Sequence, residues 1–220
     1  MARHEGCRRM KVVGFCGYSG SGKTTLVEQL VARLRLAGHR VCVVKHAHHD
    51  FDIDQPGKDS HRHRAAGAYE VVIASNRRLA KIREYDVEAD PNPHQLIAEL
   101  SDADWVLVEG FKHADLLKIE IWRAETGQRV QYPHDPFVVA IATDSPEALP
   151  LPTQLPVLDL NDADAVAAYL LGQAARHEYR SPYDDADNEA TYVDTDTDTE
   201  ADAEPARRAG AAARRHDGTG

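Results

Sequence analysis

Eight residues near the N-terminus, GYSGSGKT from Gly17 to Thr24, satisfy every fixed position of the G-x-x-x-x-G-K-[ST] pattern. Such a run can hold a polyphosphate. Gly20 and Gly22 permit positive φ, so successive backbone N–H groups can converge on one concavity. A helix beginning near Lys23 adds its positive end to that concavity. The Lys23 ammonium can reach β- and γ-phosphates, and the Thr24 hydroxyl can bind Mg²⁺. Thr25 is placed to touch the α-phosphate, and Tyr18, Ser19 and Ser21 complete the loop. The competing reading is a glycine-rich turn that happens to hold a lysine. The flanks argue against it: the apolar run KVVGFCG precedes the loop, and Leu26, Leu30, Val31 and Leu34 follow at helical spacing.

A phosphate-bound metal needs a second oxygen donor at the end of a neighbouring strand. The run WVLVEG supplies Glu109 after four apolar or aromatic residues, and Mg²⁺ accepts a carboxylate directly or through water. Glu109 simply ending a strand is the alternative. Asp50, Asp52, Asp54 and above all Asp59 compete for the same role. These acids lie in KHAHHDFDIDQPGKDSHRHR, Lys45 to Arg64, which is too polar for a core and is expected at the carboxyl edge of a sheet. His46, His48 and His49 could bind a transition metal. No cysteine accompanies them, and the acids favour Mg²⁺. Gly57, Lys58, Asp59 and Ser60 are better suited to contact nucleotide or a partner.

These groups need a scaffold, and the pattern supplies one. Buried strands are expected at 11–17, 40–45, 104–110, 118–123, 136–143 and 155–160, with shorter strands at 69–75 and 78–83. Gly38 can stop the first helix. Pro93 can open another through Leu100. NDADAVAAYLLG reads as a final helix capped by Asn161 and ended by Gly172. Strands separated by helices predict an α/β fold of the P-loop NTPase type, with a mostly parallel sheet and helices on both faces.

One domain over 10–173 is expected, followed by a tail over 174–220. From Asp184 to Glu204 the chain is rich in acids and has no Lys or Arg; a small basic segment follows. Such composition cannot offset the entropy of ordering, so the acidic low-complexity tail is expected to be disordered. Cys7, Cys16 and Cys42 are read as thiols rather than a disulfide framework. The net charge of −10 argues against a nucleic-acid binder. No apolar run approaches the roughly 18 residues of a membrane span. No signal peptide is read at the N-terminus, so a cytoplasmic protein is expected.

Four blocks in order, GYSGSGKTTL, KHAHHDFDIDQPGKDSHRHRAAGA, VLVEGFKHADLLKI and VVAIATDSP…LDLNDADAVAAYL, resemble the molybdopterin-guanine dinucleotide biosynthesis adaptor proteins, the MobB family. The resemblance runs from about Met10 to Gly172, and Ala47 departs from it where relatives carry threonine. It implies a GTP-binding protein, a homodimer with weak hydrolysis at most. That protein would assist the molybdenum cofactor guanylyltransferase that joins GMP to molybdopterin. The N-K-x-D signature of many GTPases is absent. Asp144, after PFVVAIAT, could accept hydrogen bonds from guanine N1 and N2, or could simply cap the turn before Pro146. A P-loop small-metabolite kinase or ligase is the first alternative, but no acceptor site and base are evident outside the Asp and His loop. A nickel metallochaperone GTPase is the second, without the long His tract or Cys–His pair it would be expected to carry.

Overall fold

The computed structural model describes residues 9–47, 51–87, 89 and 91–183. Cys7, His48, His49, Asp50 and the acidic tail from Asp184 lie outside the described residues. Six strands form one parallel sheet: β1 (Lys11–Cys16), β2 (Val41–Lys45), β5 (Trp105–Glu109), β6 (Lys118–Trp122), β7 (Val138–Thr143) and β8 (Val157–Asp159). Their spatial order is β2-β5-β1-β6-β7-β8. Two further strands, β3 (Glu70–Ala74) and β4 (Leu79–Arg83), pair antiparallel as a separate hairpin.

Strand alternation sends successive side chains to opposite faces, and both faces are covered. Val13 and Phe15 of β1, Trp105 and Leu107 of β5, and Ile119 and Ile121 of β6 share one cluster. Leu26, Leu30 and Leu34 of α1 (Lys23–Leu36) and Val166 and Leu170 of α4 (Ala163–Gly172) complete it. On the other face Val12, Val44, Val106 and Val108 meet Ile97 of α3 (Pro93–Ala98) and Leu116. Each such side chain contributes roughly 1.5–3 kcal/mol on burial, so continuous apolar strands set this architecture. The central helices obey their sequence signals: Gly38 takes φ 87° just past α1, and Pro93 opens α3.

Four expectations change in the structure. The strand at 40–45 is an edge rather than a buried element, with Val43 45% exposed, because among the described residues β5 alone pairs with it. Lys45 to Arg64 is not wholly loop: α2 (Asp59–Ala65) occupies its end. Asp162, not Asn161, caps α4, its carboxylate accepting the Ala165 N–H at 2.9 Å. The packed chain also runs past 173. A short 3-10 turn, Ala174–His177, buries His177, and residue 178 bridges Lys11 of β1. The imidazole Nδ1 sits 3.2 Å from the Val12 carbonyl, an acceptor that composition could not reveal.

β6 carries two buried charges. Lys118 Nζ donates to the carbonyls of Lys112 and Ala114 and to Asp135, at 3.0, 2.6 and 2.8 Å. Glu120 accepts the N–H groups of Gln131 and Tyr132; burial pushes its carboxyl up while those two donors hold it down. Both residues therefore pin loops at the sheet surface, and a buried charge is tolerable only with such partners. Among the described residues no helix is long and apolar enough to cross a membrane.

Candidate functional site

Parallel register brings the ends of β2, β5 and β1 level. Lys45 and Phe15 both lie opposite Glu109. At this carboxyl edge the chain leaves β1 as the glycine-rich loop. Gly17 has φ 138°, and a Cβ there would lie 2.3 Å from the Ile121 carbonyl oxygen, so only glycine fits. Gly22 takes φ 97° and ψ 10° at the N-cap of α1, which releases the chain directly into the helix. Beside Gly20, at φ 80°, space stays open, and a concavity lined by backbone is what a phosphate requires.

The polar groups of the loop converge. Lys23 Nζ donates to the Tyr18 carbonyl at 2.7 Å. Burial holds this ammonium below the ordinary lysine range, an effect Glu109 opposes. Thr24 Oγ1 donates to Glu109 Oε1 at 2.5 Å, and Lys45 Nζ lies 3.5 Å from the same oxygen. The hydroxyl–carboxylate pair is the oxygen-donor set Mg²⁺ favours. Ser21 Oγ is buried without a hydrogen-bond partner among the described residues. Of the other residues read into the loop, Ser19 is exposed and Tyr18 partly so, and Thr25, in the first turn of α1, is exposed.

A loop from β5 closes over this edge. Gly110 at φ 96° and Phe111 at φ 47° turn the chain back, and Phe111 stacks on His46 with ring centroids 4.7 Å apart. Lys112 Nζ stands 5.5 Å from the Tyr18 ring centroid.

The remaining sequence candidates are placed differently. Asp59 opens α2, exposed, with Arg62 at 3.9 Å as its ion-pair partner; it is not hydrogen-bonded to Thr24 or Glu109. Asp52 and Asp54 are committed elsewhere: Arg64 binds both and Glu84 as well, and Ser60 donates to Asp54 at 2.7 Å. The Asp54 N–H, then Arg64, hold the Asp52 carboxyl below the usual range, and Ser60, then the Gln55 N–H and Arg64, do the same for Asp54. Among the described residues no cluster of three or more His, Cys, Asp or Glu is arranged to hold a metal ion. Asp144 follows β7 and pairs with Arg123, which also donates from Nε to the Ser21 carbonyl at 3.2 Å. The sequence reading missed Arg123. The signal that singled out Glu109, a charged residue at the carboxyl end of an apolar strand, was present in KIEIWR too.

The family model for Molybdopterin guanine dinucleotide synthesis protein B matches residues 12–144. The Molybdopterin-guanine dinucleotide biosynthesis adapter protein of Escherichia coli (strain K12) is 37% identical over 73% of this chain and 91% of its own length. The adapter protein of Haemophilus influenzae is also 37% identical, over 74% of this chain and 88% of its own. Among solved structures, a MobB protein homolog from Bacillus stearothermophilus superimposes with a TM-score of 0.56 at 26% identity. The match covers 77% of this chain and 99% of that one.

Proposed function

The chain belongs to the molybdopterin guanine dinucleotide synthesis protein B family, and on that premise we propose that it is a GTP-binding adapter in the attachment of GMP to molybdopterin. The observation that carries the nucleotide reading is the Thr24–Glu109 hydrogen bond across the mouth of the glycine-rich loop. It couples a loop built for phosphate to a carboxylate built for a divalent cation.

In this reading the backbone from Gly17 to Gly22 surrounds the phosphates, and Lys23 leaves the Tyr18 carbonyl to neutralise them. Thr25 adds a hydroxyl at the α-phosphate. Thr24 and Glu109 would hold Mg²⁺, which when bound would offset phosphate charge. Asp144 contacts guanine through lone pairs that Arg123 and Ser145 leave free. Asp59, exposed at the start of α2, belongs to the surface offered to the partner enzyme rather than to the metal.

The partner is the molybdenum cofactor guanylyltransferase. The protein acts as a homodimer, and the β3–β4 hairpin supports that reading. Two strands alone are marginal in water, and Val72, Ile73 and Leu79 of this hairpin are exposed. A second copy is the occupant that would cover them. The deciding measurement is guanine-dinucleotide cofactor formation by purified guanylyltransferase, with and without this protein and GTP. Stimulation that requires both is expected. No stimulation, or turnover of a metabolite by this protein alone at ordinary enzymatic rates, would replace the adapter reading with a phosphotransferase.

A further inference from the structure

We infer that Lys112 is a second phosphate-binding lysine, reserved for the terminal phosphate of a nucleoside triphosphate. The inference rests on the nucleotide reading above and goes beyond it by assigning a residue outside the glycine-rich loop. Tyr18 stands between two ammonium groups: its carbonyl accepts from Lys23 at 2.7 Å, and its ring faces Lys112 at 5.5 Å. Lys23 is already inside the loop. Lys112 reaches the ring of the same residue from the chain that leaves β5.

Three contacts place it there. Lys118, 2% exposed, donates to the carbonyls of Lys112 and Ala114, so a buried anchor fixes the backbone under the side chain. The Phe111–His46 stack holds the preceding residue against the end of β2. Phe111 accepts φ 47°, a conformation that costs a non-glycine residue energy and persists only where surrounding contacts enforce it. The result is a rigid base carrying a long, exposed cation. Among the described residues no carboxylate lies within ion-pair distance of that ammonium, whereas Lys45 pairs with Glu109 and Arg123 with Asp144. An unpaired cation held over an aromatic face beside an anion-binding loop is suited to an incoming phosphate. One lysine and one divalent cation do not fully offset a triphosphate. The charge still to be offset is the one the third phosphate adds, so the 110–114 loop would respond to the third phosphate and not to the second.

Binding of a fluorescent GTP and a fluorescent GDP, each with excess Mg²⁺, tests this in the full chain. Lys112→Ala should weaken GTP about ten- to a hundredfold, as expected for loss of a charge-assisted contact, and leave GDP within about twofold. Lys112→Arg, which keeps the charge and reach, should recover most of the GTP affinity. Equal losses for the two nucleotides, or no loss for either, would overturn the inference, as would failure of arginine to rescue. Lys23→Ala serves as the control and should weaken both nucleotides. If the wild-type protein binds neither, the nucleotide reading itself fails. If it binds both and Lys112→Ala is indistinguishable from it, only the role of Lys112 fails.

Discussion

Arg123 bridges the Asp144 carboxylate and the Ser21 carbonyl, tying the segment after β7 to the glycine-rich loop. The two side chains are 24% and 20% exposed, so the pair is only partly screened by water. Asp144 Oδ1 also accepts from the Ser145 hydroxyl at 3.0 Å. A carboxylate has about four acceptor sites, so two partners leave it capacity for a base. Arg123, by contrast, grips a carbonyl of the loop itself.

This arrangement separates two substitutions. Asp144→Asn should weaken GTP about ten- to a hundredfold and improve XTP, because an amide can donate to the xanthine 2-oxygen. Arg123→Ala should weaken GTP and XTP together, since it loosens the loop and not the base contact. Calorimetry with both nucleotides gives the ratio. An unchanged GTP-to-XTP preference in Asp144→Asn would remove Asp144 from the base site.

Lys23 makes nucleotide affinity depend on pH. Burial lowers its pKa in the protein, and phosphate binds the charged form. Affinity for a triphosphate should therefore be full below that lowered pKa and fall as pH rises through it, earlier than an exposed lysine would allow. Lys23→Ala should abolish tight binding while the melting temperature holds. Lys23→Arg should flatten the alkaline limb, because guanidinium stays charged. A pH profile in Lys23→Arg that still falls with the wild type would assign the limb to another group.

The C-terminal segment contributes to stability up to about Tyr179. His177 is 2% exposed, close to the Trp105 ring, and Tyr179 closes a chain of contacts through His94 to Asp115, each 2.7 Å long. Truncation after Tyr183 should leave the melting temperature unchanged, whereas truncation after Gln173 should cost about 2–4 kcal/mol. Burial also holds the His177 imidazole below its ordinary pKa. The unfolded chain then binds the proton more readily. The contribution of His177 is thus complete above about pH 6.5 and is lost as pH falls from there towards the depressed folded value. Denaturant titrations across that window, on the wild type and His177→Gln, should show the acid loss only in the wild type.

The central sheet was legible because its strands are continuous apolar runs: VVGF, WVLVE and VVAIAT have no other stable placement than a covered parallel sheet. Glu109 was singled out as the charged residue that ends such a run and Thr24 by its place in the G-x-x-x-x-G-K-[ST] pattern, and the structure joins the two by a hydrogen bond. What escaped was set by partners distant in sequence. Arg123 matters because β6 lies beside β1, and Asp52 and Asp54 are engaged because Arg64 folds back onto them. His177 is buried because Val12 offers a carbonyl 165 residues away. The isolation of the β3–β4 hairpin from the main sheet has the same origin, since VVIA and LAKI read as strands wherever they pair.

Acceleration of GTP cleavage usually requires a cation or amide that meets the transition state, and an arginine supplied by a partner can raise rates by about 10³–10⁵. Arg62 and Arg64 lie nearest in the polar segment after β2, and the structure adds Arg123 beside the loop. Arg62 is exposed beside Asp59, Arg64 is locked onto three carboxylates, and Arg123 is held by Asp144 and the Ser21 carbonyl. Reassigning Arg64 would leave Asp54, whose side chain is 6% exposed, buried without its cation, a costly exchange. The isolated protein should therefore hydrolyse GTP slowly, far below the 1–10³ per second common to enzymes. Arg62→Ala, Arg64→Ala and Arg123→Ala should not lower that basal rate at saturating GTP, although Arg64→Ala should lower the melting temperature. Addition of the guanylyltransferase should either raise the rate or leave the triphosphate intact while cofactor formation rises. Phosphate release in single-turnover mixtures distinguishes the two. A fast basal rate that collapses in one of the arginine variants would mean that the chain carries its own catalytic arginine and turns over without a partner.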